Sequence, residues 1–106
     1  MANTYKKLYQ GQLAAAAATL YTVPGSTTAI IKTIVVVNDN ASNRTFSLYH
    51  DGTANTNLIT PLTWPILGNE IVEWNGTMVM EAADTLSGVA SVASDITVTV
   101  YGVEIV

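Results

Sequence analysis

Apolar and polar residues alternate in short runs along most of the chain, and each run ends in a cluster of Gly, Pro, Asn, Asp or Ser. A period of two predicts strands rather than helices. The strongest run is Thr28–Asn38, set between Pro24-Gly25-Ser26 and Asp39-Asn40. Its β-branched side chains are stiff at χ1 and suit a pleated surface. Arg44–His50 alternates next, with Phe46, Leu48 and His50 on one face and Thr45, Ser47 and Tyr49 on the other. Ile96–Ile105 alternates through Val100, after which Gly102 predicts a bulge or a close backbone contact.

Weaker signals fill the remainder. Tyr5–Gln12 predicts an edge strand, and Ala15–Val23 a strand whose small residues let a neighbouring backbone come close. Asp51–Asn57 predicts a loop, with Leu58-Ile59 a short strand at most. Pro61 and Pro65 bracket Leu62-Thr63-Trp64 and keep it out of any central ladder position. Ile71–Trp74 and Thr77–Met80 flank Asn75-Gly76, which predicts a hairpin, because a type I′ turn needs φ > 0 at both positions. Thr85–Ser91 follows an Ala82-Ala83-Asp84 turn. About eight short strands with frequent turns predict an all-β fold, an antiparallel β-sandwich of jelly-roll-like kind. One domain spans residues 1–106, with residues 1–12 as an extended N-terminal arm.

The Thr28–Asn38 run is apolar on both faces. Strict alternation places Ile30, Ile34 and Val36 on one side and Ile31, Val35 and Val37 on the other. A sandwich core covers one face of each sheet. Ile31, Val35 and Val37 are therefore the expected subunit-interface residues.

Composition sharpens this expectation. The 106 residues are 49% hydrophobic and 11% charged, about half the usual charged fraction. A formal charge of −4 argues against nucleic-acid binding, which needs clustered Lys and Arg. The four basic residues, Lys6, Lys7, Lys32 and Arg44, predict no patch beyond the Lys6-Lys7 pair. With no cysteine there is no disulfide framework, thiolate chemistry or Cys-based zinc site. Lys6-Lys7 ahead of Leu13 and Ala14–Ala18 looks faintly like a signal peptide, but Gln10, Gly11 and Gln12 interrupt it. No apolar run approaches the ~20 residues of a membrane-spanning helix, so no membrane partner is expected.

Candidate chemistry is sparse. His50 is the only histidine, and His50-Asp51 alone makes a weak ligand pair. No serine sits in a Gly-x-Ser-x-Gly elbow, and no Gly-rich phosphate loop precedes a helix. Glu70 and Glu73 have opposite parity and so cannot form a paired-carboxylate site on one strand face. No catalytic, cofactor-binding or metal-binding residue is assigned, and a non-enzymatic protein is expected. Trp64, between its two prolines, is the best candidate for an exposed contact, and aromatic faces can stack on sugar rings.

Two groups of residues carry a resemblance. Ala18-Thr19-Leu20-Tyr21-Thr22-Val23-Pro24-Gly25 and Thr28-Ala29-Ile30-Ile31-Lys32 are similar to the opening of a family of small all-β virion proteins of tailed bacteriophages. Ser47–Gly52, Ala83–Gly88 and Val98–Glu104 fit the same pattern. Two turns depart from it: Pro24-Gly25 stands where the family has Pro-Ala-Gly, and Ala82-Ala83-Asp84 where it has Ala-Gly-Asp. The resemblance implies a virion structural protein, made in the host cytoplasm. It does not choose between head and tail; a single domain with no coiled-coil or long fibrous segment favours a head decoration (cement) protein, located at the capsid surface. Such a protein is expected to form a homo-oligomer, a trimer, and to bind the major capsid protein or other virion proteins. A tail, fibre or receptor-binding module with a carbohydrate-binding sandwich is the alternative.

Overall fold

A computed structural model describes residues 3–106 of the chain. They form eight strands: β1 (Asn3–Gln12), β2 (Ala18–Thr22), β3 (Thr28–Asn38), β4 (Arg44–His50), β5 (Trp64–Ile66), β6 (Ile71–Met80), β7 (Thr85–Ala90) and β8 (Ile96–Ile105). One three-residue 3₁₀ turn, Asn55–Asn57, lies in the loop after β4.

The pairing is that of a long ribbon folded back on itself. β1 pairs with β8, β2 with β7, β3 with β6 and β4 with β5, all antiparallel. Winding this ribbon adds two further ladders, β3 with β8 and β4 with β7. The result is two four-stranded sheets, β1-β8-β3-β6 and β2-β7-β4-β5. This is the double-sheet jelly roll.

The core lies between the sheets. From the first sheet it takes Ala29, Ile31, Ile34, Val36, Met80, Ile96, Val98 and Val100, and from the second Phe46, Leu48, Ile66, Leu86 and Ala90. Leu13 and Val23, just outside the strands, close it. Each fully buried branched side chain stabilises the fold by roughly 1.5–3 kcal/mol relative to exposure. At the end of β3 the pattern changes to a polar lock. Asn38 is fully buried, its amide nitrogen lies within hydrogen-bond distance of the carbonyls of Ser42 (2.9 Å), Leu67 (3.1 Å) and Ile66 (3.3 Å), and its oxygen accepts from the Asn40 amide. One side chain thus satisfies the loop after β3 and the strand end after β5 together.

Two of the four sheet edges, β5 and β1, are blunted. β5 is three residues long and contains Pro65, whose missing N–H confines it to an edge. β1, at the edge of the first sheet, carries Lys6 and Lys7. Residues 3–12 of the expected arm are therefore a paired strand, while Met1 and Ala2 lie outside the described residues.

Two expectations are corrected here. Asn75-Gly76 is not a hairpin turn, because β6 runs without interruption from Ile71 to Met80. Gly76 and Thr77 instead stand opposite the single residue Lys32 of β3, forming a bulge, and Gly76 does not have positive φ. The alternative use of a strand glycine, to admit a bulge, prevails over its turn-forming use. Strand β2 is also shorter than the alanine run suggested: Ala14–Ala17 precede it as a loop.

Candidate functional site

Three bulges lie side by side across the first sheet. Leu8 is the extra residue of β1 against β8, Lys32 the extra residue of β3 against β8, and Gly76-Thr77 the doubled pair of β6 against β3. A bulge shifts side-chain parity by one. That shift settles which residues of β3 face the core.

Ile31 is corrected by it. Counting straight through Lys32 puts Ile31 on the outer face with Val35 and Val37; with the bulge, Ile31 and Ile34 both face inward and are 0% exposed. Ile31 is a core residue and has no second face to cover. Val35 and Val37 lie on the outer face and are half-buried. Val35 sits in a cross-strand row with Gln10, Thr99 and Glu73, and Val37 in a row with Gln12, Thr97 and Ile71. Ile71, at the β6 edge, is 66% exposed.

Toward the other end of the same face, Tyr5, Val103, Ile30 and Val79 form a continuous apolar row over all four strands. Val103 is buried, whereas Val79 is 54% exposed and Tyr5 stands out from the edge at 81%. The outer face thus has an apolar row at one end and the apolar pair Val37 and Ile71 at the other, separated by rows in which Thr, Asn, Gln and Lys predominate. Between them, the expectation of no basic patch beyond Lys6-Lys7 also fails: Lys7 pairs directly with Tyr101, and Lys32 flanks Tyr101 from β3.

On the inner side of the same edge, a polar link ties the two sheets together. Glu104 of β8 accepts a hydrogen bond from Tyr21 of β2 (2.5 Å) and pairs with Lys6 of β1 (2.7 Å). The Lys6 ammonium, then the Tyr21 hydroxyl, hold the Glu104 carboxyl below the usual range. Burial, with the Glu104 carboxylate beside it, raises the Tyr21 phenol above its ordinary value. The arrangement braces the two sheets against each other.

The remaining candidates are placed as follows. Trp64 belongs to edge strand β5 rather than to a loop, opposite Phe46, and is 39% exposed beside the exposed Leu62 and Leu67. His50 ends β4, with its Nε2 3.5 Å from an oxygen of Asp84. That Asp84 oxygen also accepts from the Glu81 amide, which makes it a turn cap. Glu70 accepts from the Leu67 amide and Glu73 from the Asn75 side chain, so each serves its own loop or strand. Among the described residues no three His, Cys, Asp or Glu side chains gather as a metal site. No helix among them is long and apolar enough to cross a membrane.

Fold and surface together define an eight-stranded jelly roll with a mixed apolar and basic outer sheet face. No protein-family model matches the chain, and none of the curated proteins matches it.

Proposed function

We propose that this chain is a structural protein of a tailed-bacteriophage virion, a head decoration protein that binds the shell as a symmetric homo-oligomer, with a trimer as the expected state. The observation that carries the reading is the outer face of the β1-β8-β3-β6 sheet. Half-buried Val35 and Val37 with the 66%-exposed Ile71 at one end, and the exposed Tyr5 and Val79 at the other, leave apolar side chains uncovered on a weakly charged domain. Such surface supports a protein-contact reading, and a closed ring of identical subunits would cover it without leaving an open edge. The resemblance at Ala18–Gly25 and Val98–Glu104 points the same way. The jelly roll is consistent with it by analogy only, since capsid and lectin domains both use this fold.

Two measurements test the reading. Sedimentation equilibrium at micromolar concentration should give a closed oligomer, and Ile71→Lys should give a folded monomer, because its side chain contributes nothing to the core. Mixing with undecorated shells, followed by electron cryomicroscopy, should show regular occupancy at many copies per head. A wild-type monomer would remove the oligomer. Binding confined to tails would favour the tail-module alternative instead.

A further inference from the structure

The chain carries only four basic residues, and three of them, Lys6, Lys7 and Lys32, line one hollow together with Tyr5, Tyr101 and Gly102. It lies on the outer face of the first sheet where the bulges cross, away from the Val37–Ile71 end, and its volume is about 310 Å³. Lys6 is turned to Glu104. The other two ammonium groups have no carboxylate partner among the described residues. Lys7 donates to the Gln10 side-chain oxygen (3.0 Å) and Lys32 to the Thr77 hydroxyl (2.9 Å), both neutral acceptors. An ammonium has three donors, so each retains capacity for an anion.

Protection of a sheet edge accounts for lysines on β1 but not for Lys32, which lies on an interior strand. It is the bulge that turns Lys32 out beside Tyr101. Tyr101 is 45% exposed and Tyr5 is 81% exposed, so two aromatic side chains stand uncovered near two cations that have no carboxylate partner among the described residues. In a protein of net charge −4 this is a local reversal of sign. The geometry points to a binding site for a carboxylated sugar: the carboxylate on the ammonium of Lys7 or Lys32, released from its neutral acceptor, the apolar face of the ring against Tyr101, and Tyr5 as the outer wall. The volume stands at the lower end of the range for ligand sites. The inference is independent of the shell-binding reading.

The test is a ¹H–¹⁵N NMR titration of the full chain with sodium glucuronate and, separately, N-acetylneuraminate, using glucose and acetate as probes lacking one of the two recognised features. At least one sugar acid should give saturable shifts confined to the Tyr5–Lys7, Lys32 and Tyr101–Gly102 amides. It should bind about tenfold or more tightly than either control, and added salt should weaken it. The comparison of the two acids identifies which kind of acidic glycan the site takes. The double variant Lys7→Gln/Lys32→Gln, its fold checked by an otherwise unchanged spectrum, should lose about tenfold or more in affinity. Tyr101→Ser, checked in the same way, should weaken the sugar acid while leaving the acetate response unchanged. No saturation by either sugar acid, equal binding of acetate, or undiminished binding by the lysine double variant would overturn the site.

Discussion

Gly102 of β8 offers the sharpest test of the bulged sheet. It lies between Lys6 of β1 and Ile31 of β3, and a Cβ added there would sit 2.2 Å from the carbonyl oxygen of Ile30 and 3.0 Å from Leu8 Cδ1. The first obstacle is backbone and cannot rotate away. Its φ is not positive, so the conformation itself admits alanine and the penalty is steric. Restoring a normal carbon–oxygen contact requires about 1 Å of separation between β8 and β3 in the middle of a ladder. Overpacking of this kind costs about 1–3 kcal/mol, and stretching one ladder hydrogen bond adds about 1 kcal/mol. Gly102→Ala should therefore destabilise the protein by about 2–4 kcal/mol, a large share of the ~5–15 kcal/mol typical of domains. For a domain near this size each kcal/mol lowers Tm by roughly 4–8 °C. Urea denaturation followed by tryptophan fluorescence measures the change, with an unaltered slope showing that only stability has moved. Gly25→Ala, which meets no atom within 4 Å, is the control and should shift the midpoint little. The sign is decisive: an unpinched strand glycine replaced by alanine stabilises by about 0.4–1 kcal/mol, so a raised midpoint in Gly102→Ala would refute the close approach of β3 to β8.

Three further outcomes follow from other parts of the structure. Asn38→Ala should cost about 2–4 kcal/mol by calorimetry or urea titration, since it strands the buried groups that Asn38 satisfies around Ser42, Ile66 and Leu67; a loss below about 0.5 kcal/mol would mean the lock carries no weight. Ala83 has φ of 73°, in the left-handed region, so Ala83→Gly should stabilise the β6–β7 turn by about 1 kcal/mol, and a lowered denaturation midpoint would contradict that. Glu104 has a folded-state value below its unfolded one, so its contribution is present above the ordinary carboxylate range and is lost as pH falls through the folded value. The stability of Glu104→Gln should accordingly vary less with pH in the acid range than that of the wild type, and parallel acid profiles would break the Lys6–Glu104–Tyr21 assignment.

The elements with strong alternation were legible from sequence. β3, β4 and β8 begin and end where the patterns of Thr28–Asn38, Arg44–His50 and Ile96–Ile105 begin and end. Of the segment between the two prolines, Leu62-Thr63 is a turn and Trp64 opens edge strand β5, so the prolines kept it from a central position without revealing the strand. What escaped was parity. A bulge depends on what the neighbouring strand does, so Ile31 could not be assigned to the core by counting along β3 alone. Lys32, a charge within an apolar run, was the one local trace of it. Asn75-Gly76 misled for the same reason, because turn chemistry and bulge chemistry draw on the same residues. The basic hollow was illegible for a third reason: Lys7, Lys32 and Tyr101 are far apart in sequence and meet only through the β1-β8-β3 order.

The folded-back ribbon also dictates the order in which the chain can be completed during synthesis. β4 and β5 lie near the crease and can pair as soon as both have left the ribosome; β6, β7 and β8 then add outward, each onto a strand made progressively earlier. β1 is made first and paired last. At roughly 5–20 residues per second it waits on the order of ten seconds for β8. During that interval β3 also lacks its β8 neighbour, and Ile34 and Val36 are without one of their flanking strands. A ribosome-bound chain stalled before Ile96, with β3 held by β6 alone, should therefore remain open to protease throughout β1, and release of the last strand should close it. Protection of β1 before β8 emerges would show that the ribbon does not zip from its crease.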